Sequence, residues 1–308
     1  MRIFHVSDIQ DGAYPLQHII NLVNQEGEAT DLVVMSGDIV TGYDKDHLRK
    51  SLDELCRDRD RITVEEFMTT LQNTTRPTYE KIKEVIEKSK VPVLSIPGNS
   101  DLPLYENVLQ SDKHLPLHKR VVDIGGMKFA GFGGANVAVI DDRYEVVEVS
   151  VEVNDLIMGK KSVKASSVYD FLKSLSETPT VLVTHMPPYG ICDFVNQEVG
   201  HVGSHGLRDY LDENAVPLVV CGHVHEGRGM EALNQGRTVV SNAGTLSNMA
   251  LHKKLPRTFA VIEYDGGFKA GIVYQFTDVR KGSLEILTTY KPGENGLVVE
   301  NRSNPKFS

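Results

Sequence analysis
The chain has 308 residues, 40% hydrophobic and 24% charged, enough apolar material for one large domain or two ordinary ones. A formal net charge of −9 without a basic stripe argues against strong nucleic-acid binding, which leans on Lys and Arg at phosphates. No apolar run approaches the roughly 18 residues that span a bilayer. The run after Met1 and Arg2 stops at Ser7-Asp8 without a leader pattern, so a cytoplasmic protein with no membrane contact is expected. Cys56, Cys192 and Cys221 are odd in number and scattered, which speaks against a disulfide framework or a thiolate metal site.

In chain order, residues 2–7 read as a short buried strand, and Leu16, Ile19, Ile20 and Val23 recur at helical spacing after Pro15. Leu-Val-Val-Met within 31–36 reads as a second buried strand. Residues 44–90 are charge-rich and predict two or three amphipathic helices. Leu48, Leu52 and Leu55 form one stripe there, Ile82, Val85 and Ile86 another, and Thr63 with Glu66 fits a capping box. An enlarged surface crossover is the plainer reading of this stretch, a lid or an oligomer contact the sharper one. Residues 91–96 predict a third strand, 121–124 and 129–132 a hairpin around Gly125-Gly126, and 146–153 a further strand. Residues 166–175 predict a helix with Val168, Phe171, Leu172 and Leu175 inward. Residues 181–184 and 218–221 predict buried strands, separated by a loop and a helix after Ser204. Short strands follow Val239, clearest at 259–264 and 272–276. The polar stretch 291–308 is expected to be a loose tail, leaving 1–290 as one domain with a helical insertion at about 44–90.

Five segments share one design, an apolar strand ending abruptly in a metal-capable side chain. They are Val6-Ser7-Asp8-Ile9-Gln10, Ser36-Gly37-Asp38, Pro97-Gly98-Asn99-Ser100-Asp101, Val183-Thr184-His185 and Cys221-Gly222-His223-Val224-His225. In α/β folds ligands bind just outside the carboxyl ends of strands, and a strand that turns sharply into a ligand loop favours glycine. Singly, a Gly-Asp is most often a turn and a lone histidine most often a packed one. Carboxylates, an amide and three imidazoles in this order are hard to explain by packing.

The ordered set resembles the calcineurin-like metallophosphoesterases, whose pattern runs Asp-x-His, Gly-Asp, Gly-Asn-His-Asp/Glu, His, Gly-His-x-His. The resemblance covers roughly residues 1–245. The resemblance implies an α/β fold of two packed mixed β-sheets flanked by helices, a four-layer sandwich with two divalent metals at one edge. It implies Asp8, Asp38 and His225 on one metal and Asp38, Asn99, His185 and His223 on the other, with Asp38 bridging. Asp38 and Asn99 would also act in catalysis, and Asp101 would orient a neighbouring group. Hydrolysis of a small-molecule phosphoester, and a homo-oligomer as one arrangement, fit the same resemblance.

Two departures stand out. Gln10 replaces the first-motif histidine; its neutral oxygen suits Mn²⁺ better than Zn²⁺ or Fe, with Ni²⁺ a further candidate. Purple acid phosphatases lack that histidine too, but use a tyrosine where this chain has Thr41; Tyr43 is out of register. Ser100 replaces the histidine that helps protonate the leaving group, as in a Gly-Asn-x-Asp subset associated mainly with phosphodiesters. His201 or His205 is a candidate substitute acid near substrate, with Asn99 and Ser204 as further substrate contacts. Ser204 reads most simply as a helix N-cap, and more sharply as the start of a phosphate-binding helix terminus. A phosphomonoesterase and a protein-interaction scaffold with a weakened site are the rival expectations. Metal content separates the scaffold, and mono- against diester substrates separates the monoesterase.

Overall fold
A computed structural model describes residues 1–10, 12–26, 31–40, 50, 51, 53, 54, 56, 57, 63–102, 104–137, 147–149, 168–247, 255–294 and 296–300. The first half carries β1 (Arg2–Val6), α1 (Ala13–Glu26), β2 (Leu32–Ser36), α2 (Val64–Ile86), β3 (Val93–Ile96), α3 (Tyr105–Leu109), β4 (His114–Pro116), β5 (Arg120–Ile124), β6 (Met127–Phe132), β7 (Ala135–Val137) and β8 (Val147–Val149). Then come α4 (Val168–Lys173), β9 (Val181–Thr184), α5 (His205–Glu213), β10 (Leu218–Cys221), β11 (Gly229–Leu233), β12 (Thr238–Asn242), β13 (Thr258–Tyr264), β14 (Phe268–Asp278), β15 (Ser283–Gly293) and β16 (Gly296–Glu300).

One eight-stranded sheet runs β16-β15-β14-β13-β1-β2-β3-β4, and a six-stranded sheet runs β11-β12-β10-β9-β6-β5. Both are mixed. β1 to β4 are parallel while β13 pairs antiparallel to β1. β6, β9, β10 and β12 are parallel, with antiparallel β5 and β11 at the edges. The central strands are apolar throughout because both of their faces are covered. Between the sheets, Ile3, Leu32, Val34 and Leu94 meet Phe129, Val181, Val183, Leu218 and Val220. On the outer face of the larger sheet, Phe4, Val33 and Met35 pack on Leu16, Ile19, Ile20, Tyr79, Ile82 and Ile86 of α1 and α2. Leu182, Val219 and Val240 of the smaller sheet do the same against Leu172, Leu207 and Leu211 of α4 and α5. The result is the four-layer sandwich expected, helix on sheet on sheet on helix.

The described part of 44–90 is mainly α2, one helix of 23 residues that crosses over between the parallel strands β2 and β3. Thr63 and Glu66 close its capping box, and Tyr79, Ile82, Val85 and Ile86 bury its inner face. The Leu48/Leu52/Leu55 stripe, Thr41 and Tyr43 lie outside the described residues. So do 146 and 150–153 of the strand expected at 146–153; its described part, β8, pairs with β7. The expectation of a loose tail from Lys291 is corrected over 291–300. β15 runs on to Gly293 and β16 pairs back on it, Lys291 opposite Val298. A short apolar run, Leu297-Val298-Val299, opposite a glycine-bounded turn is enough for a hairpin extension even in polar company. The three cysteines are free, and no described helix is long and apolar enough to cross a membrane.

Candidate metal centre
Parallel register brings the five strand ends to one edge of the sandwich. Val6 of β1 lies beside Met35 of β2, and Ser36 beside Ile96 of β3. In the other sheet Val183 of β9 lies beside Val220 of β10. The chain then turns hard. Asp8 (φ 49°), Gln10 (φ 42°), Asp38 (φ 48°) and His223 (φ 62°) all adopt left-handed backbone, a conformation that costs side-chain-bearing residues roughly 1 kcal/mol or more each. The turns hold one another there. Asp8 N donates to Gly37 O (3.0 Å), Gln10 N to Asp38 O (3.1 Å) and Gly222 N to His185 O (2.9 Å). Only glycine fits at 98 and 222, because a Cβ would run into the Asp38 carboxylate at the first and into Ser7 and Asp8 at the second.

Ligand-capable atoms of Asp8, Asp38 and His185 all lie within 4.8 Å of one another, and all three residues are buried. Two groups flank this trio. On one side His225 Nε2 meets Asp8 Oδ1 at 2.9 Å. On the other, His185 Nε2 meets Asn99 Oδ1 at 3.1 Å and His223 Nδ1 at 3.2 Å. Asp38 stands between the groups. Its Oδ1 is 3.5 Å from His185 Nε2, and its Oδ2 takes a long contact from Gln10 Nε2 at 3.4 Å.

The donor set fits a cation. His185 Nδ1 faces the Ser36 carbonyl at 2.8 Å, and a carbonyl only accepts, so Nδ1 carries the proton. In the neutral ring Nε2 is then a lone pair facing two further acceptors, Asn99 Oδ1 and Asp38 Oδ1, with His223 Nδ1 beside it at 3.2 Å. Lone pairs converging in a buried site repel unless a positive ion lies among them. Burial, together with the neighbouring His185, lowers the His223 pKa to about 3, which keeps that imidazole neutral and able to ligate. For Asp8, burial favours the neutral acid, but the hydrogen bond and charge of His225 and the hydrogen bond from Ser7 outweigh it and hold the pKa below the usual carboxylate value. For His225, burial lowers the pKa, but the Asp8 hydrogen bond and charge prevail and raise it.

The remaining expected site residues separate into supports and rim. Asp101 does not face the cluster. Its Oδ2 accepts from Gly98 N (2.8 Å) and Ile39 N (3.0 Å), its Oδ1 from Tyr79 Oη (2.8 Å) and Val40 N (3.1 Å), so it laces the Asp38 and Asn99 loops together. Burial, and then the Asp38 charge, raises its pKa. Ser100 donates from N and Oγ to Asp38 Oδ1 (2.8 Å) and Oδ2 (3.0 Å), which fixes that carboxylate. Ser204 is the N-cap of α5, the plainer of the two expectations for it: its buried hydroxyl accepts from Leu207 N at 2.9 Å. His201 lies on the excursion between β9 and α5, and His205 is the first residue of α5; both are exposed.

Sequence reading missed three positioning residues. Asn242 is fully buried and donates from Nδ2 to Cys192 O, Gly222 O and Val224 O, which pins the turn carrying His223. Thr245 Oγ1 donates to Asp8 O (3.0 Å). His5 bridges the sheets at the site, with Nε2 2.9 Å from Ser36 Oγ and Nδ1 3.3 Å from Ser241 Oγ; burial lowers its pKa to about 3. A signal existed for Asn242, because Val239-Val240-Ser241-Asn242 is one more apolar strand ending in an amide, with Gly244 just beyond.

A two-sheet sandwich that gathers carboxylates and imidazoles at the carboxyl edge of both sheets defines a metal-binding hydrolase architecture. The family model for calcineurin-like phosphoesterases matches residues 1–227, and the chain belongs to that family. One crystal structure shares the fold with a TM-score of 0.58, at 16% identity over 92% of this chain and 97% of its own. The TT1561 protein of Thermus thermophilus is 15% identical over 92% of this chain and 97% of its own, with a TM-score of 0.48. YfcE, a phosphoesterase from E. coli, is 13% identical over 94% of this chain and 98% of its own, with a TM-score of 0.40. Among curated proteins none matches the chain.

Proposed function
We propose that the chain is a two-metal phosphodiesterase acting on a small-molecule phosphoester. The observation that carries this reading is that the donors fall into two groups, Asp8 with His225 and His185 with Asn99 and His223, with Asp38 within 4.8 Å of both Asp8 and His185. Asp8, Asp38 and His225 would hold one ion, and Asp38, Asn99, His185 and His223 the other. Two divalent ions supply charge neutralisation at the phosphate and activation of water near neutral pH. The chain's own groups do the rest. Asn99 Nδ2 donates one hydrogen in a long contact to Ser100 Oγ (3.5 Å), and the other would donate to a phosphate oxygen while Oδ1 ligates. Asp101 and Ser100 keep the carboxylate and amide in place. Ser100 Oγ is committed to Asp38, so position 100 supplies no proton to a leaving group. That favours substrates with a good leaving group or a second ester.

The test is a screen of aryl diesters, alkyl diesters and alkyl monoesters with Mn²⁺, Ni²⁺, Zn²⁺ and Mg²⁺ added separately. Metal-dependent cleavage of aryl diesters is expected, with alkyl monoesters slower by at least about 10²-fold, the usual worth of an absent general acid. A preference for alkyl monoesters at equal metal loading would overturn the diester assignment.

Gln10 decides the metal. Beside Asp8, Asp38 and His225 it adds only an amide oxygen, an oxygen-rich set that favours Mn²⁺. Its nitrogen faces Asp38 Oδ2 at 3.4 Å, so ligation requires the amide to turn over and exchange O and N. Substoichiometric metal after purification and strong activation by added Mn²⁺ are expected. Gln10→His should tighten the first site and lessen the need for added metal, by about tenfold in the activating concentration. Unchanged affinity for both ions in a titration of wild type against Gln10→His would remove Gln10 from the ligand set.

A further inference from the structure
The excursion between β9 and α5 begins just past His185 and is fixed to the rim of the metal centre. Pro187 O accepts from Ser204 N (2.8 Å) and Ser204 O from Tyr189 N (3.0 Å), which close its base. Asn242 ties Cys192 O to the same amide group that holds Gly222 O and Val224 O. Inside, buried Asp193 accepts from Gly190 N and Gly203 N, both at 2.9 Å, and from His201 Nδ1 at 2.5 Å. A carboxylate only accepts, so the His201 proton sits on Nδ1, and Nε2 has no partner among the described residues.

Four rings stand on this rigid frame, and all of them face water. Tyr189 stacks on His205 at 3.9 Å and 23°, His201 lies 5.8 Å from Tyr189, and Phe194 meets His201 edge-on at 5.3 Å. Tyr189 and Phe194 are 37% and 40% exposed. Aromatic rings left in water by a frame that could have folded them inward forgo burial energy. Rings of this kind beside a phosphate site stack well on planar groups, whatever their hydrogen-bonding pattern.

We infer that Tyr189, Phe194, His201 and His205 form a subsite for a planar aromatic group carried by the phosphoester, with His201 Nε2 as its polar contact. This rests on the reading of the metal edge as a phosphoester site. The group is either a nucleobase or a simple aryl ring, and both have the π-face the rings would bind.

The test is equilibrium binding to the full chain by ligand-observed NMR, with Mg²⁺ and again with EDTA, using AMP, phenyl phosphate and ribose 5-phosphate as probes. At least one aromatic phosphate is expected to bind about tenfold tighter than ribose 5-phosphate, the size of one stacking contact. AMP ahead of phenyl phosphate identifies a base, and the reverse a simple aryl ring. Tyr189→Ala and Phe194→Ala should each erase most of that preference and leave ribose 5-phosphate binding unchanged. Both side chains are more than a third exposed, so the variants should fold, as circular dichroism will check. Equal binding of the three probes to wild type, or an aromatic preference untouched by both variants, would overturn the subsite whatever the catalytic result. An intact preference in a protein that hydrolyses no phosphoester would uphold the subsite and overturn the hydrolase reading instead.

Discussion

On the proposed two-metal reading, Asp38→Ala is expected to lower metal-dependent phosphoester hydrolysis by at least about 10³-fold, because several kcal/mol of charge stabilisation would depend on both ions being held together. Asp38 lies within 4.8 Å of a donor from each group, Asp8 and His185. Without it, two neighbouring cations repel with nothing between them, and at least one is lost. The variant also leaves Ser100 N without its acceptor, so a stability loss of about 1–3 kcal/mol should accompany the effect. Thermal unfolding with and without Mn²⁺ separates the two consequences. Wild type should gain stability on adding metal, and Asp38→Ala should gain little. Near-wild-type turnover in a folded Asp38→Ala protein would show that no bridging carboxylate is needed.

Asp101→Ala is expected to cost about 4 kcal/mol of folding stability, although Asp101 touches none of the proposed ligand atoms directly. It removes the acceptors of three backbone amides and the Tyr79 hydroxyl from a buried place. Each buried donor left unsatisfied costs about 1–3 kcal/mol, less where water can enter. Asp101→Asn should be milder, about 1–3 kcal/mol. One oxygen survives, and Tyr79 Oη can reverse its role, but at least one backbone N–H must face an amide NH₂. Both variants should weaken metal binding, since the loops of Asp38 and Asn99 lose their common tie. The informative contrast is turnover at saturating metal. Much of the activity should return in folded Asp101→Asn. A variant with unchanged melting temperature and no turnover would instead make Asp101 a direct participant in the chemistry.

The fold and the candidate ligands were legible for the same reason. A strand buried on both faces shows an unbroken apolar run, and a functional residue at its end breaks that run abruptly, as at Asp8, Asp38, His185 and His223. What surrounds the ligands was less legible, because a supporting residue leaves no such break. Asp101 stands two positions from Asn99 and looks like part of the same motif, while its partners, Ile39, Val40 and Tyr79, come from distant parts of the chain. Ser100 reads as the loss of a histidine, yet its two bonds to Asp38 make it a support. Asn242 was hidden by lying past the last recognised motif. β15 and β16 were obscured by their exposed, mixed composition, as an edge of a sheet with one face in water must be.

The proposed ligands come from both sheets: Asp8, Asp38 and Asn99 follow strands of one, His185, His223 and His225 strands of the other. An ion bound among them is therefore a rivet between two layers otherwise joined by their shared apolar interior. Its binding free energy reports on the mutual alignment of the layers, since a slide of one residue, about 3.3 Å, would pull the donors apart. The unfolding of the two sheets should then merge into one cooperative event, with a midpoint that climbs with the logarithm of free metal.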